Sequence, residues 1–163
     1  MTLAVVVLAL VTLERLGEFA LSRSNATRLL AAGAAEHGRG HYPVIVGLHV
    51  AWLGGLWLLA WNRAVDLSWL AVYLVFEALR AWVMVSLGRR WTTRIIVQPD
   101  AALVRTGPYR LLSHPNYVVV AAEIAVLPLV FGLTWYALLF SVLNAVVLAI
   151  RIRAENAALA PLR

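Results

Sequence analysis

Cysteine is missing from this 163-residue chain, which excludes a disulfide framework, a thiolate metal site and a thiol nucleophile. Lysine is missing too. All 14 basic residues are arginine, the side chain better shaped for bidentate contact with phosphate or carboxylate. Charge as a whole is scarce, at 13% of residues, against about 25% in ordinary soluble domains. Hydrophobic residues make up 63%. A water-soluble domain of this length leaves too much surface exposed to hide that much apolar area, whereas lipid removes the difficulty. A single, integral membrane domain over residues 1–163 is the expectation. A net charge of +6 could suggest nucleic acid, but the arginines sit in short loops beside apolar stretches, where membrane orientation explains them. No nucleic-acid partner and no metal are expected.

A membrane crossing takes about 20 apolar residues as a helix. Residues 2–22, 43–61 and 67–87 each suit one crossing, and 115–150 is too long for one. Gly132, between Phe131 and Thr134, is a plausible hairpin turn, which divides the last stretch into 115–131 and 134–150. An all-α, polytopic bundle of about five spans is therefore predicted. The N-terminal stretch has no basic segment ahead of it, carries Glu14, Arg15 and Glu18, and precedes further spans, so it reads as a retained helix rather than a signal peptide. Loops 22–42 and 88–116 and the tail hold eleven arginines, Arg163 among them, while the opposite side holds only Arg63. By the positive-inside rule the N-terminus is outside, and both long loops and the tail are cytoplasmic.

Charges within spans are expensive and need partners or water. Glu77 and Arg80 stand three apart and can pair on one helix. Glu14 and Glu18 share a face beside Arg15, as a salt-bridge cluster or as a site. Glu123 has no basic neighbour in sequence and is expected to face a polar cavity rather than to pair with another helix. His49 reads as a hydrogen-bonded packing residue, and Gly54-Gly55 as a close helix contact.

The stretch Arg105-Thr-Gly-Pro-Tyr-Arg-Leu-Leu-Ser-His-Pro-Asn-Tyr117 holds the most chemistry. Gly107-Pro108 makes a turn whose backbone can approach a ligand closely. Pro115 suits the first position of a helix, where its missing N–H does no harm, and that helix start directs a positive dipole end at the loop. Tyr109, His114 and Tyr117 crowd around it, flanked by Arg105 and Arg110. An aromatic belt with positive-inside arginines explains the Tyr and Arg content, but not His-Pro-Asn-Tyr following Gly-Pro-Tyr.

Gly107-Pro108-Tyr109-Arg110 followed by His114-Pro115-Asn116-Tyr117 resembles the signature of the isoprenylcysteine carboxyl methyltransferase family, membrane enzymes that use S-adenosylmethionine. The tail Arg151-Ile-Arg-Ala-Glu155-Asn156-Ala-Ala-Leu159 is similar to that family's second motif, an arginine followed by paired glutamates. His41-Tyr42-Pro43, Leu48-His49 and Trp91-Thr-Thr-Arg-Ile-Ile-Val97 look like its bacterial branch, which includes methyltransferases of long-chain alkylpyrones and alkylresorcinols. Two positions depart: Ser113 stands where the family usually has arginine before His-Pro, and Asn156 where it has the second glutamate.

The resemblance implies a helical bundle in the bacterial inner membrane whose cytoplasmic loop and tail enclose S-adenosylmethionine. Tyr109, His114, Pro115 and Tyr117 would line the cofactor site, and Arg151 and Glu155 would close it from the tail. The methyl acceptor would be a lipophilic molecule, an isoprenylcysteine-type carboxylate or a long-chain polyketide phenol or enol, entering from the membrane lipids. A carboxylate needs no base. For a hydroxyl acceptor Glu123, His41 and Glu155 are the candidates. No glycine-rich dinucleotide loop follows a strand, which excludes a soluble Rossmann-type methyltransferase. A membrane reductase of the steroid-reductase type using NADPH, and a non-enzymatic membrane subunit, are the alternatives. Oligomeric state is not set by the sequence.

Overall fold

A computed structural model gives the fold and describes residues 2–99 and 101–162. Arg163, counted above among the tail arginines, lies outside the described residues. Five α-helices follow one another: α1 (Leu3–Ala31), α2 (Tyr42–Ala60), α3 (Leu67–Leu87), α4 (Pro115–Val130) and α5 (Thr134–Leu159). The helix starts are locally encoded. Thr2 accepts from the Val5 N–H, Asp66 accepts from Ser68 and Trp69, and Pro115 opens α4, which uses up donors that have no partner inside the helix. The expected hairpin turn is there. Gly132 has φ 68°, its N–H donates to the Leu129 carbonyl at 3.0 Å, and Leu133 donates to Pro128 at 2.9 Å, the double bond of a Schellman stop. Gly33 at φ 87° closes α1 in the same way.

Two helices outrun their expected spans, α1 by nine residues and α5 by nine. Backbone hydrogen bonding continues past the lipid boundary without needing apolar side chains, so hydropathy marks the apolar part alone. A second feature is new. Residues Ala35–His37 (β1) and Ile95–Val97 (β2) pair antiparallel, His37 opposite Ile95 and Ala35 opposite Val97, joining the two long loops. Glu36 of β1 is held by Arg39 at 3.1 Å and Arg94 at 3.4 Å.

The helix ends alternate. The Thr2 hydroxyl donates to the Trp61 carbonyl at 2.8 Å and the Asp66 N–H to Val130 at 2.8 Å, so the starts of α1 and α3 meet the ends of α2 and α4. Both long loops and the α5 tail gather at the opposite end of the bundle. The main core runs through Leu8, Val11, Trp52, Leu56, Leu127, Val130 and Phe131. Gly55 brings α2 against α5: a Cβ there would meet the Tyr136 hydroxyl, which donates to the carbonyls of Trp52 at 2.8 Å and Ala51 at 3.2 Å. Outward faces are apolar, with Leu58 79%, Val85 80% and Trp135 84% exposed, the pattern of a lipid-facing surface. The segments Arg39–Ala60, Leu67–Arg90 and Thr134–Leu162 are long and apolar enough to cross a membrane.

The intramembrane charges pair across helices, which corrects two expectations. Glu123 faces no polar cavity. It is 3% exposed, gripped by Arg80, whose Nε lies 2.7 Å from one carboxylate oxygen while Nη2 holds the other, and it lies 3.3 Å from Arg15. Arg80 thus reaches from α3 to α4, where the sequence pattern offered Glu77 on its own helix. Glu77 instead takes Arg15 at 2.9 Å, and Arg15 also holds Glu18 at 3.0 Å. Sequence spacing reveals same-helix neighbours such as Arg15 and Glu18, whereas Arg80–Glu123, Arg15–Glu77 and Arg15–Glu123 join different helices. His49 hydrogen-bonds the Ile45 carbonyl at 2.9 Å, as a packing residue.

Candidate functional site

A cavity of 760 Å³ opens where the two long loops and the α5 tail converge, within the range of sites for small molecules. Its lining includes Trp91, Thr92, Arg94 and Ile95 from the first part of the second loop, Tyr109, Ser113 and His114 from the second part, Asn116 and Tyr117 from α4, and Arg151 and Glu155 from α5. Pro115 fixes the first turn of α4, so His114 and Tyr117, three residues apart, stack with ring centroids 5.4 Å apart.

Tyr117 links the two motif segments of this chain, His114–Tyr117 and Arg151–Glu155, by direct bonds. Its hydroxyl donates to Glu155 and accepts from Arg151 Nε at 2.8 Å. Arg151, 6% exposed, spends its other arm on the Thr93 carbonyl at 2.7 Å, and its guanidinium lies over the Tyr117 ring at 5.4 Å. Its charge is therefore directed at the protein's own tyrosine and loop. His114 stands beside Glu155, Nδ1 to Oε2 at 3.8 Å, and its Nε2 lies 3.1 Å from the Asn156 Oδ1. Asn156, one of the two departures, thus keeps a polar partner for His114 without fixing a second negative charge beside Glu155. Burial, and then the Glu155 carboxylate, push the Tyr109 phenol above its usual range.

The other named residues fall elsewhere. Gly107 and Pro108 are absent from the cavity lining. Gly107, at φ 56°, lets the turn approach α3: a Cβ would stand 2.2 Å from Ser86 Oγ and 3.1 Å from Trp82 Nε1. The close approach expected of this turn is to a helix. Pro115 is buried behind the lining. His41 is also outside the lining, its ring packed where a Gly38 Cβ would be. Of the three candidate bases, Glu155 lines the cavity, and Glu123 is taken up by arginines.

The donor set fits S-adenosylmethionine. Arg90, Arg94, Arg105 and Arg110 on the lining suit an amino-acid carboxylate, Glu155 suits ribose hydroxyls, and the faces of Tyr109 and Tyr117 tolerate a sulfonium. Two lining residues bring buried polar atoms without a partner, Trp91 Nε1 and Asn116 Oδ1. Both atoms are closed off from solvent, so they lie behind the cavity surface and not on it. Sequence reading passed over Ser22, Asn25 and Thr93, although Glu18, Ser22 and Asn25 recur at helical spacing and could have been read as one inward polar stripe.

The sequence model of the isoprenylcysteine carboxyl methyltransferase family matches residues 69–161. The chain is also 40% identical over 157 residues, 93% of its own length and 94% of the relative's, to a Bacillus subtilis protein named "Uncharacterized protein YpbQ". It is 26% identical over 141 residues, 82% and 81% of the two lengths, to an "Uncharacterized protein" of Haemophilus influenzae. No solved structure matches. With three helices fit to cross a bilayer and the family's model matched over more than half of the chain, this integral membrane protein belongs to the isoprenylcysteine carboxyl methyltransferase family.

Proposed function

We propose that the protein is an S-adenosylmethionine-dependent O-methyltransferase acting on a lipophilic acceptor, with its cavity on the cytoplasmic face of a bacterial inner membrane. The observation that carries this reading is the bonded set Arg151–Tyr117–Glu155 beside His114, on a cavity ringed by arginines. All five helices cross in this reading, with the N-terminus outside. Its support is the alternation of helix ends and the gathering of all loop arginines but Arg63 at the cavity end.

S-adenosylmethionine, when bound, supplies an electrophilic methyl group. The arginines of the lining hold its carboxylate, Glu155 its ribose, and Tyr109 and Tyr117 keep water from the sulfonium. A carboxylate acceptor arrives ionised. A phenol or enol gives up a proton. For that acceptor Glu155, the one of the three candidate bases on the lining, takes it and passes it to water in place of holding the ribose. Leu29, Leu87, Leu112 and Leu159, also on the lining, suit an acceptor that carries an apolar chain.

The reading is tested with the protein in liposomes, isotope-labelled S-adenosylmethionine, and two probes, a farnesylated cysteine carboxylate and a long-chain alkylresorcinol. Label entering the organic phase with one probe, and not with Glu155→Ala, is the expected result. Label that stays aqueous with both would overturn the assignment of acceptor.

A further inference from the structure

Thr93 lies in a stretch that is neither helix nor strand, between Arg90 and β2, yet each of its polar groups is taken. Its N–H donates to Ser22 Oγ at 2.8 Å. Its hydroxyl lies 2.8 Å from that same oxygen and 2.9 Å from the Tyr42 hydroxyl. Its carbonyl accepts from Arg151 at 2.7 Å. Two residues earlier, the Trp91 carbonyl accepts from Asn25 Nδ2 at 2.8 Å. Three helices, α1, α2 and α5, thus converge on one short stretch, whose residues Trp91, Thr92 and Arg94 line the cavity. Ser22 and Asn25 are 2% and 3% exposed, and they, like Tyr42, fall outside the residues 69–161 that the family's sequence model covers.

We propose that Ser22, Asn25 and Tyr42 are positioning residues for the cofactor cavity, holding Trp91–Arg94 in the shape that binds. The inference rests on the cofactor reading above. Irregular backbone has no ladder to satisfy its N–H and C=O groups, so its conformation is set by whatever side chains bind them. A loop released from such bonds populates other shapes, and the apparent Kd rises as the inverse of the competent fraction. One lost bond corresponds to roughly a five- to tenfold weaker affinity.

The test uses the full-length protein in detergent and compares wild type with Ser22→Ala, Asn25→Ala, Tyr42→Phe and Thr12→Val. Thr12 is the control, because its hydroxyl ties α1 to Trp57 at 2.9 Å and to Leu8 at 2.7 Å, away from the cavity. Three quantities are read: calorimetric affinity for S-adenosylhomocysteine, the melting temperature without ligand, and amide hydrogen exchange over residues 91–97. The clamp variants are expected to bind about tenfold more weakly and to exchange faster at 91–97, without a matching fall in melting temperature. Thr12→Val is expected to lower the melting temperature and leave affinity unchanged. Should Ser22→Ala not fold, Tyr42→Phe decides, since it removes a hydroxyl and leaves the ring. Wild-type affinity in Tyr42→Phe and the other folded clamp variants would overturn the inference, as would a loss that merely tracks melting temperature. A wild type that binds nothing defeats the cofactor reading, and this inference with it.

Discussion

Removing one oxygen atom, in Tyr117→Phe, would undo two bonds at once. Arg151 Nε would lose its acceptor in a buried setting, and Glu155 would lose its donor. A buried charged donor left unpaired costs at least about 1–3 kcal/mol. Tyr117→Phe is therefore expected to melt at lower temperature and to weaken S-adenosylhomocysteine binding at least about tenfold in calorimetry. Unchanged binding would separate the hydroxyl from the site. Tyr109 gives a second expectation. Burial and Glu155 raise its phenol above the ordinary range, so it keeps its proton when ordinary tyrosines, near about pH 10, lose theirs. The phenolate absorbance difference between wild type and Tyr109→Phe should rise only above that pH. A rise at or below it would contradict the burial of the Tyr109 phenol. At this scale the site was half legible. Tyr109, His114 and Tyr117 stand out within their own motif segment, while Arg151 and Glu155 were indicated only by the family resemblance. Gly107 and Pro108 belong to the same motif but serve packing against α3, a distinction that spacing does not express.

Among the helices, α1 is the one whose role was least visible. Its inner face reads apolar from Ala4 to Val11 and then polar from Arg15 to Asn25, and besides local pairs within α1 (Arg15 with Glu14 and Glu18, Arg28 with Asn25) that polar half takes partners more than 60 residues away, in Glu77, Glu123, Thr93 and Trp91. Such pairs leave no local pattern, which is why Glu123 looked unpartnered. Breaking a buried ion pair by removing one member costs about 3–5 kcal/mol, whereas replacing both with apolar groups is often neutral. Glu123→Leu should therefore lower thermal stability sharply, and adding Arg80→Met should restore much of it. Additive losses in the double variant would contradict the pairing. Gly107→Ala offers a packing test: φ 56° and the overlap an added Cβ would make with the Ser86 hydroxyl predict destabilisation, read as a lower melting temperature. Helix starts were legible because caps are local. The far ends of α1 and α5 were not, since hydropathy stops at the lipid boundary and the helices continue. Three-residue strands fall below any period that can be read.

Over the whole molecule, the proposed topology has five crossings with the cavity on the inner side. Because the chain has no native cysteine, single cysteines report sidedness cleanly. A membrane-impermeant maleimide applied to intact cells is expected to label Ala64→Cys, at the end away from the cavity, and to spare Ser24→Cys near it. The reverse pattern would invert the orientation. The central claim is that the cavity between the loops and the tail holds S-adenosylmethionine. Its most direct test is calorimetric titration of the detergent-purified protein with S-adenosylhomocysteine, alongside His114→Ala and Glu155→Ala. The account predicts saturable, one-to-one binding by the wild type that both substitutions abolish in variants that still fold. No binding by a folded wild type, or binding that both variants retain, would contradict it.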